Sequence, residues 1–109
     1  MGFEKTVTKA GNGPKPQKGQ TVTVHCTGLR PDGSKFWSTK DPGQQVFSFQ
    51  IGLGKVIKGW DEGVLTMQLG EHATIVCSPD YAYGAGGFPA WGIAPNSSLT
   101  FQIEVISIQ

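Results

Sequence analysis

The chain has 109 residues, enough for one hydrophobic core and not for two, so any function shares that core or sits on its rim. Nine basic residues against eight acidic ones leave a formal charge of +1 with no basic run, which excludes an electrostatic footprint for nucleic acid or for an anionic membrane surface. Sixteen Gly and seven Pro between short apolar runs favour strands joined by turns over a helical bundle, and the aromatic content argues against disorder.

In chain order, the opening MGFEKTVTK alternates Phe3, Lys5 and Val7 with Glu4 and Thr6, as a strand does. It has no apolar core of a secretory signal, and no segment approaches the roughly 20 apolar residues that span a bilayer, so a cytoplasmic location is expected. Gly2 followed by Thr6 fits the loose N-myristoylation pattern, but the polybasic second anchor that one acyl chain needs is missing. TVTVHCTG then puts Val22, Val24 and Cys26 on one face and Thr21, Thr23, His25 and Thr27 on the other, the pattern of a half-buried strand. PDG at 31–33 and DPGQ at 41–44 are turn signals. FSFQIG places Phe47, Phe49 and Ile51 on a common face.

Only VIKGWDEGVLTMQLG reads as helical, over Ile57 to Met67, with Ile57, Trp60, Val64 and Met67 along one stripe. Gly59 and Gly63 each cost such a helix about 0.5 to 1 kcal/mol against Ala, so packing must hold it. Their spacing of four makes a smooth face against which a sheet can lie close. ATIVC (Ala73, Ile75, Cys77 inward) and LTFQIEVISI (Leu99, Phe101, Ile103, Val105 inward) complete the strands, and Asn96-Ser97-Ser98 reads as the turn before the last of them. The elements together give an α+β domain, one unit over residues 1–109, built from an antiparallel sheet with one short helix packed on it.

Charged and metal-assisted chemistry finds little support. His25 and His72 are the only histidines and the two cysteines form no CxxC pair, so no metal site and no cofactor is expected. His25 and Cys26 are neighbours on a strand and point to opposite faces, which rules them out as a base and nucleophile pair. Asp61 and Glu62, adjacent on a helix, read as solvated surface. GLGKVIKG lacks the glycine spacing of a phosphate loop. Cys26 and Cys77 leave two readings open: two small buried hydrophobes, or a reversible disulfide joining their strands.

What remains is apolar and aromatic surface close to turns. Three Trp, six Phe and two Tyr exceed what one side of so small a sheet buries, and several stand in SPDYAYGAGGFPAWGIAPN, a Gly/Pro-rich loop without helix or strand periodicity. A shallow apolar pocket with few polar groups accounts for them.

VTVHCTG, DGSKFWST, FSFQIGLGKVIKGWDEGV, GEHATIVCSPDYAYGAGG and NSSLTFQIEVISI resemble, in order and from about Val7 to the C-terminus, the FKBP family of peptidyl-prolyl cis/trans isomerases, the receptors of immunosuppressant macrolides. Trp37 and the GGFPAWGI loop are most similar to the small cytosolic members of plants and green algae. The resemblance implies a five-stranded antiparallel sheet wrapped around one short helix, and a rotamase site needing no cofactor. It implies Trp60 at the pocket floor, with Phe36, Phe47, Phe49, Val56, Ile57, Ile93 and Phe101 on its walls. Tyr83 would give a hydroxyl donor at the rim, Ile57 a backbone N–H, and Phe88 an overhang at the entrance.

Four departures from the family pattern touch the ligand side. Trp37 stands where the pattern has an Asp after the wall Phe, and Cys26 where it has a Tyr. The basic residue usual before Phe47 is absent, and the GFPAWGI loop is one residue longer than the common form. The resemblance therefore implies isomerase activity on Pro-containing peptides and proteins, with weakened binding of macrolides of the tacrolimus and rapamycin type and weakened recruitment of the kinase and phosphatase they engage. A monomer is expected, with self-association through the Phe88–Ile93 loop as the route to anything larger. Two further readings stay open from residues alone: a non-catalytic module that docks Pro-containing segments, and a redox-sensing domain built on Cys26 and Cys77.

Overall fold

Every alternating segment of the sequence becomes a strand, and all but the first turn their apolar phase inward; on that first strand, at the sheet edge, Val7 is 47% exposed. The computed structural model describes residues 2–109 and contains β1 (Phe3–Lys9), β2 (Thr21–Leu29), β3 (Lys35–Ser38), β4 (Phe47–Gln50), α1 (Lys58–Gly63), β5 (His72–Cys77) and β6 (Leu99–Ile108). On β2, Val22, Val24 and Cys26 are sealed inside while the threonines and His25 on the opposite phase stay half-exposed. On β6, Leu99, Phe101, Ile103 and Val105 are each at most 3% exposed, so these two strands form the floor of the core.

All strand pairs are antiparallel, in the order β1-β5-β6-β2-β3, with β4 also on β2. The expected five positions across the sheet are therefore present, but the strand count is six. β3 pairs with Thr27–Leu29 and β4 with Thr21–Val24, so both lie along the same flank of β2 and divide one edge position between them. The chain leaves the edge between them at Thr39, whose N–H still donates to the Cys26 carbonyl at 2.9 Å. It returns through a turn at Asp41–Gln44, closed by the Gln44 N–H on the Asp41 carbonyl at 3.0 Å. Pro42 presets φ there and Gly43 supplies the φ of +83° at the next position.

The helix is shorter than its stripe of apolar residues. α1 ends at Gly63, and Val64–Thr66 tighten into a 3₁₀ turn. Two glycines in six residues give the α-helix little propensity, and the Thr66 hydroxyl donates back to the Gly63 carbonyl at 2.7 Å, favouring the tighter turn. The stripe survives the change of helix type: Trp60, Val64 and Met67 are buried, and Ile57 is the N-cap residue. The glycines do what their spacing requires. A Cβ on Gly59 would lie 2.1 Å from Cys77 Sγ, and one on Gly63 3.0 Å from Ile75 Cδ1, so the helix backbone rests directly on β5.

Besides its pairing with β5, β1 is held to this core by one partly buried ion pair. Lys5 Nζ lies 2.8 Å from Glu71 Oε2, and Glu71 Oε1 accepts the Gln68 N–H at 3.1 Å. Gly2 is tied to Ser78, donating its N–H to Oγ at 2.8 Å and accepting the Ser78 N–H at the same distance.

The two cysteines are buried free thiols, and the disulfide reading fails on topology. β6 lies between β2 and β5, so Cys26 and Cys77 are two strand spacings apart, roughly 9.5 Å before any offset along the strands. Their partners on β6, Ile103 and Leu99, are four residues apart, which adds to that separation. A disulfide spans Cα atoms up to about 7 Å apart.

Candidate functional site: an aromatic groove over Trp60

The groove opens where β3 and β4 part. It encloses about 800 Å³ and is bounded by Trp37, by Gln44, Gln45 and Val46 from the excursion between the two strands, and by Phe47. Its other boundaries are Val56 and Ile57 from the turn before α1, Trp60, Tyr83, Trp91 and Phe101. Lys55 is the only charged residue along it. A smaller polar recess of about 250 Å³ lies around His25, His72 and Glu104, whose side chains take the outward phase of the sheet. It is lined by threonines, Lys40 and Gln102 and has none of the aromatic rings. Among the described residues no group of three or more His, Cys, Asp or Glu is placed to hold a metal ion.

Trp60 is 4% exposed and makes the floor. Around it stand Phe101 edge-on at 5.4 Å between ring centres, Phe47 edge-on at 5.7 Å, Phe49 tilted at 5.4 Å and Trp37 tilted at 6.3 Å. These separations are those of favourable edge-to-face and offset pairs, so the rings fix one another's orientation. Trp60 Nε1 is a buried donor without a partner, the only side-chain N or O atom in that condition among the described residues. The Ile57 carbonyl accepts the N–H groups of Trp60 at 3.0 Å and Asp61 at 3.1 Å, while the Ile57 amide itself makes no hydrogen bond among the described residues. Burial pushes the Tyr83 hydroxyl above its ordinary pKa, so it is a neutral donor across the physiological range.

Of the residues that the sequence reading gathered, the groove is bounded by Trp37, Phe47, Val56, Ile57, Trp60, Tyr83 and Phe101. Five others do not face it. Phe49 is 7% exposed and sits behind Trp60. Ile93 is 3% exposed and is paired to Phe88 through an isolated β-bridge. Phe36 and Phe88 are covered by Trp91, at 5.8 Å stacked and 4.6 Å edge-on respectively. Phe36 also fills the space above Gly28, where a Cβ would come within 2.5 Å of its ring. Cys26 points into the core beneath the sheet, so its small side chain leaves no gap in the groove wall.

Two residues gain a place that sequence reasoning had not given them. Trp91 lines the groove itself, its ring parallel to Trp37 within 4° at 6.3 Å between centres. Asp61 is half-buried rather than solvated surface: its carboxylate accepts the Gly52 N–H at 3.0 Å and the Gly54 N–H at 2.8 Å. That grip shapes the turn carrying Val56 and Ile57. The available signal was an acid in the first turn of a helix directly after a glycine-rich loop, where bare amides need an acceptor.

The fold and the groove define an α+β domain that carries an aromatic binding groove over a buried tryptophan. Residues 13–106 match the family described as FKBP-type peptidyl-prolyl cis-trans isomerase. Among curated proteins, the chain is 70% identical to the peptidyl-prolyl cis-trans isomerase FKBP12 of Arabidopsis thaliana and 68% identical to that of Vicia faba, each over 100% of both chains. It is 53% identical to the FK506-binding protein 1A of Emericella nidulans, over 99% of both. This chain belongs to the FKBP-type peptidyl-prolyl cis-trans isomerase family.

Proposed function

We propose that this isomerase turns X-Pro bonds in the groove over Trp60, with exposed prolines of peptides and unfolding proteins as substrates. The observation that carries this reading is the ring cluster closing on Trp60 in a groove with one lysine and no carboxylate along it. Rotation about X-Pro has a barrier of roughly 18 to 20 kcal/mol, because the planar amide is resonance-stabilised. Water solvates the charge separation of that planar form. The twisted amide has lost the resonance and is less polar, so a dry aromatic floor opposes the planar form more than the twisted one.

In this reading the proline ring rests on Trp60, with Phe47, Val56, Ile57 and Phe101 around it. The Ile57 amide and the Tyr83 hydroxyl are donors for the substrate carbonyls. An acceleration of ~10⁴ to 10⁶ asks for about 5.5 to 8 kcal/mol, which desolvation, fit and a few donors supply together. Trp60→Ala should lower kcat/KM in a coupled assay on a short Pro peptide by at least about tenfold, the scale of one lost floor ring. An unchanged rate in the folded variant rejects the groove.

The same groove would hold macrolides of the FK506 type, as the names of the fungal relatives indicate for those proteins. Trp37 offers such a ligand an indole face where the family pattern has an acceptor carboxylate, so we infer weaker affinity and weaker recruitment of a kinase or phosphatase. A fluorescence titration giving nanomolar binding would contradict this. We place the protein in the cytoplasm, where buried free thiols persist, and infer a monomer that self-associates through residues 88–93 only at high concentration.

A further inference from the structure

Trp91 is 39% exposed and ends a short 3₁₀ turn, Pro89–Trp91, whose flanks are joined by the bridge between Phe88 and Ile93 and by the Asn96 N–H on the Gly84 carbonyl at 2.8 Å. The indole packs on Phe36, Tyr83 and Phe88 as well as Trp37. Arg30, directly after β2, anchors the backbone that carries it. Its Nη2 donates to the Trp91 carbonyl at 2.9 Å and its Nε to the Gly92 carbonyl at 3.3 Å. From the same guanidinium, Nη1 donates to the Lys35 carbonyl at 3.2 Å and to Ser34 Oγ at 3.1 Å. One planar fork thus joins the β2–β3 hairpin to the groove lip, a geometry that a lysine ammonium cannot reproduce. Gly92 completes the fit: its φ is +68°, and a Cβ there would come within 3.1 Å of Nη2.

We propose that Arg30 and Trp91 form one specificity device of the isomerase. Trp91 makes with Trp37 the flat wall that receives the side chain flanking the proline, and Arg30 is the positioning residue that keeps that wall assembled. Both indoles bound the groove with their planes parallel, and no carboxylate stands near them, so the wall favours a large apolar or aromatic neighbour of proline over a small one. The inference rests on the groove reading above and adds to it a residue outside the groove.

The test compares kcat/KM for two peptides that differ only in carrying Phe or Ala before Pro. Arg30→Met, which keeps length and removes every donor, should reduce the Phe-over-Ala preference by about three- to tenfold, the loss appearing in KM rather than kcat, as expected for one displaced aromatic contact. Trp91→Ala should reduce the preference by a similar factor, and the double variant by no more than either alone, because both act on one wall. Arg30→Lys should fall between wild type and Arg30→Met, and it remains informative if the methionine variant folds poorly. Equal losses on both peptides, additive effects, or a lysine variant equal to wild type overturn the proposal. Trp60→Ala in the same assay separates the two readings: it should depress both peptides, and if it does while Arg30→Met leaves the preference intact, only the Arg30 inference fails.

Discussion

Cys77 is the residue at which packing and titration meet. Burial holds its thiol up to about 12 from the ordinary 9.0, and burial, with a smaller contribution from Cys77, raises Cys26 well above the same value. An unfolded chain ionises both thiols near 9.0, whereas the folded chain keeps them protonated. Stability from these groups is therefore complete below pH 9 and is lost as pH rises from about 9 toward 12, at most about 1.4 kcal/mol per pH unit per thiol. Urea midpoints measured from pH 7 to 11 should be level and then fall. The fall should be shallower in Cys77→Ala, and an identical slope in that variant would show that the thiol is not responsible. At this scale the sequence was informative about which side chains are inside and much less about their partners. Asp61 read as surface because its acceptor role depends on two bare amides, those of Gly52 and Gly54, that no periodicity reveals. Trp91 had no assignable role because its partners, Trp37 and Arg30, come from a distant hairpin.

The contact between α1 and β5 governs the element scale. Because a Cβ on Gly59 would sit 2.1 Å from Cys77 Sγ, Gly59→Ala should destabilise the fold by about 1 to 3 kcal/mol, although alanine is the better helix former. Adding Cys77→Ala removes the obstructing sulfur, so the double variant should be more stable than Gly59→Ala alone. Chemical denaturation of the four proteins measures this, and simple additivity would mean that the helix does not rest on β5 at that point. The glycine spacing and the strand alternations were both legible, since each is a local period read directly from side-chain chemistry. The division of one edge between β3 and β4 was not, because pairing to a common strand is a long-range property. Nor was the early end of α1, where the Thr66 hydroxyl bonds back to the Gly63 carbonyl and the final turn tightens.

For the whole molecule, near-neutral charge is the controlling quantity. With a net charge of +1 and only Lys55 along the groove, the protein offers a charged client little long-range attraction toward the site. Isomerase kcat/KM on an uncharged peptide should change by less than about twofold between 50 and 500 mM salt, a range over which the Debye length falls well below protein dimensions. A steep salt dependence would point to an electrostatic contact outside the groove. The interrupted edge of the sheet has a different consequence. Because the chain leaves β2 between β3 and β4 where the groove opens, a client lying there meets rings and a few isolated donors instead of a continuous row of strand amides. In the binding mode proposed above, such a client does not add a strand to the sheet, so main-chain zippering contributes little to its residence time. Under that proposal a client is held only near its proline and is released quickly, which suits a catalyst that must let go of each chain once a single bond has turned.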